Sequence, residues 1–300
     1  MHSITRRIPS ARPRMRTLAL GAAAAVAAFA CATSPAMAAA PTGDYAQFNR
    51  CPYTNTAVDA CLYSETTGGS FVLGNATVPV NKKIILQGGI DQNETTGAFT
   101  FVPAVGADTL SKTALNVPGG LTGLMSPTGW NGILSALFWA AVGAVNDVTA
   151  TAEQAGTIGY DFGAFAFGGG PALTLPVRIH LENPFLGSNC YIGTTAAPIV
   201  LKLRTDTTSP PSPNSPITGS PGTIGFAHDG DLITSTNNKL VDNSFAVPAV
   251  NGCGGPLFGL LVNVALDLKE GYPAAAGKNT AILTGNLKQG ARTAVVASVH

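Results

Sequence analysis

Short runs in which apolar and polar residues alternate are the feature that most constrains this fold. The clearest run is Leu175–Glu182, and Pro198–Thr205 repeats its pattern. An alternation with a period of two places successive side chains on opposite faces of a β-strand. Glycine (35 residues) and proline (21 residues) are frequent, as expected for many short strands joined by turns. The sequence therefore predicts a mainly β chain, folded as an antiparallel β-sandwich or a barrel-like sheet.

One apolar segment, Trp130–Val148, departs from this pattern. Its large apolar side chains recur at the three- and four-residue spacing of a helix face. The uninterrupted apolar part, Ile133–Val145, has 13 residues, whereas a membrane span needs roughly 20. We therefore expect no transmembrane helix in the mature chain. Two interpretations remain: a core helix that covers a sheet, or a contact site for a hydrophobic ligand or membrane formed by Trp130, Leu134, Phe138 and Trp139.

The first 38 residues have the three parts of a secretory signal peptide. Five arginines precede the apolar run Leu18–Ala30, and Ala36-Met37-Ala38 has the small-x-small pattern of a cleavage site. We predict cleavage after Ala38. Two other interpretations of the leader are a twin-arginine signal at Arg6-Arg7 and a lipidated cysteine at Cys31, although the residues that flank each of them fit poorly.

Removal of the leader changes the charge of the chain. All 16 acidic residues lie beyond residue 38, but only 12 of the 17 basic residues do, so the mature chain has a net charge of 12 − 16 = −4. The positive charge of the precursor belongs to the leader. Because no basic patch remains, the sequence predicts no binding to nucleic acid.

The four cysteines of the mature chain are expected to form disulfides. An even number of cysteines in an exported protein favours this outcome. Cys51 and Cys61 lie close along the chain, so we prefer the pairs Cys51–Cys61 and Cys190–Cys253 among the three that are possible. A zinc site would need closely spaced cysteines or neighbouring histidines, and neither occurs here.

The mature chain, residues 39–300, is predicted to form a single β-rich domain. The stretch Thr207–Pro221 contains five prolines. It could be a stiff linker between domains, but a Cys190–Cys253 disulfide would enclose it. We therefore favour a surface loop within one domain.

Candidate catalytic residues are few. His180 and Glu182 share one face of a predicted strand, and His228, Asp229 and Asp231 cluster around a glycine. The first pair resembles part of a zinc deaminase motif, but the P-C-x-x-C part is missing. The second cluster has the composition of a turn. A polar strand face and a turn explain both groups without catalysis.

Other local motifs are absent from the sequence. It contains no G-x-S-x-G elbow, no phosphate-binding loop and no dinucleotide fingerprint. The stretch Asp91–Gly97 begins like a calcium loop, but Thr96 and Val102 occupy the positions where an EF-hand needs glycine and glutamate. We therefore predict no metal site and no cofactor.

Three stretches together resemble a known group of sequences. They are Leu175–Gly193, the Asn251–Gly254 turn that follows Phe245–Pro248, and Gly277–Ala281. They resemble small secreted proteins of actinobacteria for which no activity is established. The resemblance implies a location outside the cytoplasm and supplies no mechanism.

These observations lead to three hypotheses. The first is an exported, non-enzymatic protein of the cell envelope or extracellular space, which acts as a structural module or binds lipid or another hydrophobic ligand. The second is a secreted hydrolase whose site is assembled from distant residues, including His180 or His228. The third is a membrane-inserting protein whose segment Trp130–Val148 leaves the core when lipid is present.

Overall fold

The part of the chain that the structure describes contains fourteen β-strands. The computed structural model describes residues 39–93, 95–127, 130 and 132–300, so the predicted signal peptide lies outside the described residues. In chain order the strands are β1 (Ala60–Leu73), β2 (Ala76–Pro79), β3 (Ile84–Gln92), β4 (Phe99–Pro103), β5 (Ala114–Asn116), β6 (Thr149–Gln154), β7 (Gly159–Tyr160), β8 (Leu173–Glu182), β9 (Tyr191–Ile192), β10 (Ile199–Leu203), β11 (Thr223–Ala227), β12 (Leu232–Asp242), β13 (Val250–Asn251) and β14 (Thr280–Ala291).

Five α-helices lie in the described residues, four between strands and one after the last strand. They are α1 (Gly120–Leu124), α2 (Gly132–Ala144), α3 (Phe162–Phe167), α4 (Gly255–Glu270) and α5 (Arg292–Ala297), and short 3-10 helices span Gly43–Phe48 and His228–Gly230. The predicted apolar helix therefore forms as α2 with shorter bounds. α4 is the longest of these helices. Pro256 in its first turn and Gly271, with a φ of 72°, at its C-terminal end fit a helix start and stop.

The strands form two antiparallel sheets. The first has the order β11-β12-β14-β1-β3-β4, with β2 paired to β1. The second has the order β13-β9-β8-β6-β5, with β7 and β10 also paired to β8. β8 and β10, which contain the two alternating runs of the sequence, pair antiparallel from Ile199↔Val177 to Leu203↔Leu173. Backbone hydrogen bonds between Arg204 and Val241 join the two sheets at one point.

The main hydrophobic core lies between the sheets. Along β8, Leu173, Leu175, Val177 and Leu181 are buried, whereas Arg178, His180 and Glu182 lie on the other face. Burial of one face of each sheet is the driving force that stacks them. The prediction of a mainly β, antiparallel fold is confirmed. Of the two predicted arrangements, the β-sandwich is the one that forms.

Both expected disulfides are confirmed. Cys51 pairs with Cys61 beside a small second core, where Phe48 and Val295 are also buried. Cys190 pairs with Cys253 and joins the residue before β9 to the approach to α4. The first disulfide therefore fixes the irregular segment around Cys51 to β1, and the second joins the segments that precede β9 and α4.

The proline-rich stretch 207–221 folds back onto the body of the protein. Thr207 bridges Thr218, and Ser220 bridges Lys239 of β12. Asn214 donates hydrogen bonds from its side-chain nitrogen to the carbonyl oxygens of Asn243 and Asn279, each at 2.9 Å. Residues 39–300 form one compact unit. Among the described helices, none combines the length and apolarity that crossing a membrane requires.

Candidate functional site

The first predicted catalytic pair belongs to a row of polar side chains on the outer face of the second sheet. Arg178 forms an ion pair with Glu153 at 2.7 Å, and its guanidinium lies 4.3 Å from the centre of the Tyr191 ring. His180 lies on the same face of β8, and its ring stacks on the Tyr191 ring with the ring centres 4.5 Å apart. We call Glu153, Arg178, Tyr191, His180 and Glu182 the polar row.

The two members of the polar row that were candidates for catalysis are engaged in structural contacts. The Nε2 atom of His180 lies 3.1 Å from the carbonyl oxygen of Ser188, so its proton is donated there. Glu182 accepts a hydrogen bond from the Thr149 hydroxyl at 3.1 Å, and its nearest approach to the His180 ring is 3.9 Å. Within the described chain, His180 has no hydroxyl or thiol as a hydrogen-bond partner. The arrangement stabilises a sheet surface.

The second candidate cluster is separate and differently paired. His228 Nε2 lies 2.9 Å from Asp44 Oδ2, and its ring packs against Tyr45 at 5.5 Å. Asp229 and Asp231 were the expected partners of this histidine, but Asp229 is an exposed turn residue with a φ of 57°. Asp231 takes part through its backbone. Its carbonyl oxygen accepts a hydrogen bond from the Ala291 N–H, and its N–H donates to the His228 carbonyl oxygen. The cluster therefore attaches the 3-10 helix Gly43–Phe48 to the turn before β12.

Metal-ligating side chains do not gather in the described part of the chain. No group of three His, Cys, Asp or Glu residues there is close enough to hold an ion. The stretch Asp91–Gly97 forms a turn between β3 and β4, in which the Asn93 side chain accepts hydrogen bonds from the backbone N–H groups of Thr95 and Thr96.

Helix α2 exposes much of its apolar surface. It buries only Leu134 and Phe138, and it leaves Ile133 74% exposed and Trp139 54% exposed. Trp130 is half-buried against Phe138, with the ring centres 5.6 Å apart. Of the four residues predicted to contact lipid or ligand, Leu134 and Phe138 thus face the protein, and Trp139 is the one that is largely exposed.

Helix α4 has the same character, which the sequence analysis missed. It buries Val262 and Leu266, but Leu260 is 79% exposed and Leu268 is 78% exposed. Leu261 and Val264 are also exposed. The sequence signal for this helix is the mostly apolar run between Gly254 and Gly271. These two glycines adopt the left-handed conformation, one at each end of the helix.

Both helices are attached to one short loop, residues 183–187. The Phe185 ring packs against Phe138 of α2 at 5.5 Å, and the Asn183 side chain donates to the carbonyl oxygen of Val145 at 2.9 Å. The backbone N–H of Gly254, the residue before α4, donates to the Leu186 carbonyl oxygen at 2.7 Å. We call the exposed side chains of the two helices the apolar helical face; they are Ile133, Leu137, Trp139, Val145, Leu260, Leu261, Val264 and Leu268.

Seven of the eight side chains of the apolar helical face lie in two stretches of sequence that lack charge, and Leu268, between Asp267 and Lys269, is the exception. Residues 113–146 and residues 243–266 contain no Asp, Glu, Lys, Arg or His. Soluble proteins rarely leave large contiguous apolar patches exposed, and such patches mark sites of contact with membranes, partners or ligands. The absence of charge across both stretches distinguishes this surface from the polar row.

An apolar cavity of about 70 Å³ lies between the two sheets. Its walls come from both sheets and include Leu73 of β1, Val78 of β2, Leu181 of β8 and Leu201 of β10. Tyr272, which follows α4, also lines it. The Tyr272 hydroxyl oxygen is fully enclosed and has no hydrogen-bond partner among the described residues. Burial raises the pKa of this hydroxyl, and the nearby carboxyl of Glu270 adds to that effect.

A polar cleft of about 370 Å³ adjoins this cavity and shares Ala76, Val117 and Leu124 with its lining. Lys269 and Glu270, at the end of α4, form part of the wall of the cleft. Glu270 is only 2% exposed, and burial raises the pKa of its carboxyl to about 7. Neither Glu270 nor Tyr272 was a candidate from the sequence, because both become notable only through their burial in the folded protein.

No protein-family model, no curated protein and no solved structure matches this chain.

Proposed function

We propose that this chain is an exported protein of the cell envelope or its surroundings, which acts by binding lipid surfaces through the apolar helical face. The observation that carries the proposal is the exposure of eight large apolar side chains on and beside α2 and α4. Seven of them lie in stretches of sequence that contain no charged residue, and Leu268 lies between Asp267 and Lys269. Catalysis plays no part in the proposal.

The chemistry of the face favours a lipid bilayer over a protein partner. Protein interfaces surround an apolar centre with a polar, partly charged rim. Here 34 residues around α2 and 24 residues around α4 are free of charge, and charged side chains are the ones that a bilayer tolerates least. Trp130 and Trp139, both in this region, belong to the residue type that is enriched at the boundary between membrane and water.

Export is the second part of the proposal. Two disulfides link four cysteines of the described chain, and disulfides persist mainly in oxidising compartments. The predicted leader and the resemblance to secreted actinobacterial proteins point the same way. A protein that leaves the cytoplasm and presents an apolar face meets the outer surface of the membrane or envelope lipid first.

Vesicle binding tests the proposal. The purified protein is mixed with phosphatidylcholine vesicles, which carry no net charge, and the bound fraction is measured by flotation. Full burial of two aliphatic side chains contributes about 3 kcal/mol or more, so the variant Ile133→Asp/Leu260→Asp should bind at least about a hundredfold more weakly. Its stability should change little, because both side chains are exposed in the free protein.

Phe167→Asp provides the matched control. Phe167 is 89% exposed at the end of α3, outside the apolar helical face, so its replacement should leave vesicle binding unchanged. Equal loss of binding in this control, or no vesicle binding by the unmodified protein, contradicts the proposal. A stable dimer in the absence of lipid that Ile133→Asp/Leu260→Asp dissociates would assign the face to a second copy of the chain instead.

A further inference from the structure

We infer that the free edge of β11 is a dimer interface, at which a second copy of this chain adds its own β11 and joins the two first sheets into one. Both copies would use the same strand, so the interface is closed by a two-fold axis. The inference goes beyond the proposed contact with lipid, because β11 (Thr223–Ala227) is not part of the apolar helical face.

The edge of β11 that faces away from β12 is open. β11 ends the first sheet, and β12 is its one partner strand in the described chain. Alternate residues of an antiparallel strand direct their N–H and C=O groups to opposite sides. Among the described residues, only those of β12 form hydrogen bonds with residues 223–227. The open edge therefore presents a row of backbone donors and acceptors to a further strand.

The other end strands of the two sheets are protected in ways that β11 is not. β4 ends at Pro103. β5 has three residues, and the carbonyl oxygen of Ala114 accepts a hydrogen bond from Lys82 Nζ at 2.6 Å. β13 has only two residues. Proteins use proline, charged side chains and short strands to prevent pairing at sheet edges, whereas the five residues of β11 include neither proline nor a charged side chain.

The side chains of β11 make one side of this edge apolar. Ile224 lies opposite Ser235 of β12, and Ser235 lies opposite Leu287 of β14, which is buried in the core. Ile224 and Phe226 therefore share the face of the sheet that turns towards the core, because side chains two residues apart lie on the same face. Phe226 is nevertheless 69% exposed. A large aromatic side chain thus lies uncovered beside an open edge.

Two-fold symmetry restricts how two copies of β11 can pair. Residues directly opposite each other point to the same face of a sheet, so the symmetry allows only registers that bring like faces together. Of these registers, only the one centred on Gly225 pairs all five residues. It places Ile224 of each copy opposite Phe226 of the other. Aromatic and β-branched residues form favourable cross-strand pairs, so this register covers the exposed ring in both copies.

Sedimentation equilibrium of the mature chain without lipid tests the inference. Five residues from each copy are fewer than the roughly 20–30 residues a side of a standard interface, so the dimer should be weak. Between about 1 µM and about 1 mM protein, the apparent mass should rise from that of one chain towards that of two. An apparent mass that stays that of one chain throughout this range would overturn the inference.

Phe226→Lys removes the ring and adds a charge to the edge. It should weaken dimerisation at least about tenfold, because the aromatic contact is lost in both copies and a lysine must be desolvated in the paired sheet. The melting temperature of the monomer should change little, since the side chain is largely exposed. Phe167→Lys, at an 89% exposed position on α3, is the matched control and should dimerise normally. Equal weakening in both variants would contradict the role given to β11.

A crosslink tests the register. The four cysteines of the described chain are paired, so an added cysteine is the one free thiol there. Gly225 has no positive φ, but a Cβ on it would lie 3.0 Å from the Thr234 hydroxyl oxygen, and Thr234→Ala removes that contact. In Gly225→Cys/Thr234→Ala the two facing Cα atoms should be about 4.5–5.5 Å apart, which is within the range of a disulfide.

Thr223→Cys/Thr234→Ala is the control for the crosslink. In the register centred on Gly225, Thr223 lies opposite Ala227 of the other copy, so the two new thiols are four residues, or about 13 Å, apart along the strands. Under mild oxidation, the variant at Gly225 should give a covalent dimer on a non-reducing gel, and the variant at Thr223 should not. Equal crosslinking of the two variants, or crosslinking at Thr223 alone, would overturn the register.

The double variant Ile133→Asp/Leu260→Asp separates this inference from the proposed lipid contact. Both of its positions belong to the apolar helical face, so it should dimerise like the unmodified protein. A dimer that this variant dissociates and that Phe226→Lys leaves intact would overturn the inference. A protein that stays monomeric and still binds phosphatidylcholine vesicles would overturn the inference alone and leave the proposed function in place.

Discussion

The polar row on the second sheet and the C-terminal end of α4 both contain acidic groups and a tyrosine, yet they differ in how those groups are satisfied. In the polar row Glu153 pairs with Arg178, and Arg178 and His180 pack on Tyr191. At the end of α4 the Tyr272 hydroxyl is enclosed without a hydrogen-bond partner among the described residues, and Glu270, which is 2% exposed, lines the cleft with a carboxyl whose pKa is raised by burial.

This difference distinguishes polar groups that are paired within the protein from a buried polar group that has no partner there. Buried polar atoms in native proteins are almost always hydrogen-bonded, so each exception needs an explanation. The polar row contains residue types that are common in catalytic sites. Its side chains, however, form an ion pair and ring contacts with one another. The end of α4 contains ordinary residue types, and only their surroundings make them candidates for binding.

The largest expected effect concerns the disulfide that connects the two regions. Cys190 precedes Tyr191 of the polar row, and Cys253 precedes α4. Its sequence separation is 63 residues, for which loss of loop entropy in the unfolded chain corresponds to about 4 kcal/mol. Cys190→Ala/Cys253→Ala should therefore lower the free energy of unfolding by about that amount in denaturant titrations.

The other disulfide serves as the control for this prediction. Cys51 and Cys61 are separated by 10 residues, and the same argument gives about 3 kcal/mol for Cys51→Ala/Cys61→Ala. If removal of the shorter crosslink cost more stability than removal of the longer one, the view that Cys190–Cys253 holds the two regions together would be wrong.

The next effect concerns the pH dependence of stability at Glu270. Burial raises the pKa of its carboxyl to about 7, whereas the carboxyl of the unfolded chain titrates near its ordinary value of about 4.3. Below pH 4 both states are protonated and the group has no effect. As the pH rises from about 4 to 7, the carboxyl ionises in the unfolded chain while it stays protonated in the folded protein. This ionisation lowers the free energy of the unfolded state alone, so the free energy of unfolding falls by up to about 3 kcal/mol.

Glu270→Gln isolates this contribution. The variant should be more stable than the unmodified protein at pH 8 by up to about 3 kcal/mol, and the two should be equally stable at pH 4. Urea denaturation across this pH range measures the difference. A variant that is less stable at pH 8 would show that the Glu270 carboxylate is satisfied, which would remove the contrast with the polar row.

The smallest effect concerns the polar row itself. Arg178→Met keeps the length of the side chain but removes the ion pair with Glu153 and the contact with the Tyr191 ring. Partly exposed ion pairs and cation–π contacts contribute about 0.5–1 kcal/mol each, so stability should fall by about 1–2 kcal/mol. Binding of vesicles should not change, and a loss of vesicle binding would place the polar row in the binding surface.

The sequence predicted the sheets better than the segments around them. Alternation along Leu175–Glu182 and Pro198–Thr205 located β8 and β10, because burial of one sheet face imposes that pattern. The same rule applied to Ala294–Val299 would give a strand, but Arg292–Ala297 forms α5. A run of six residues with few polar positions is too short for its periodicity to distinguish helix from strand.

The candidate sites were harder to predict for a physical reason. His180 and His228 stood out by residue type, but their partners, Ser188 and Asp44, are set by tertiary structure. Trp139 was correctly placed on an apolar helix, whereas the exposure of α4 was not anticipated. Glu270 and Tyr272 become notable only when the sheets enclose them, and no local pattern in the sequence encodes that enclosure.

The central claim is that the apolar helical face enters lipid, and tryptophan fluorescence tests it most directly. The chain has two tryptophans, Trp130 and Trp139, so Trp130→Phe and Trp139→Phe each leave a single reporter in this region. With phosphatidylcholine vesicles, Trp139, which is 54% exposed, should shift its emission to shorter wavelength and be quenched by bromine-labelled acyl chains. Trp139 emission that stays unchanged and remains fully open to quenching by aqueous iodide would contradict the account.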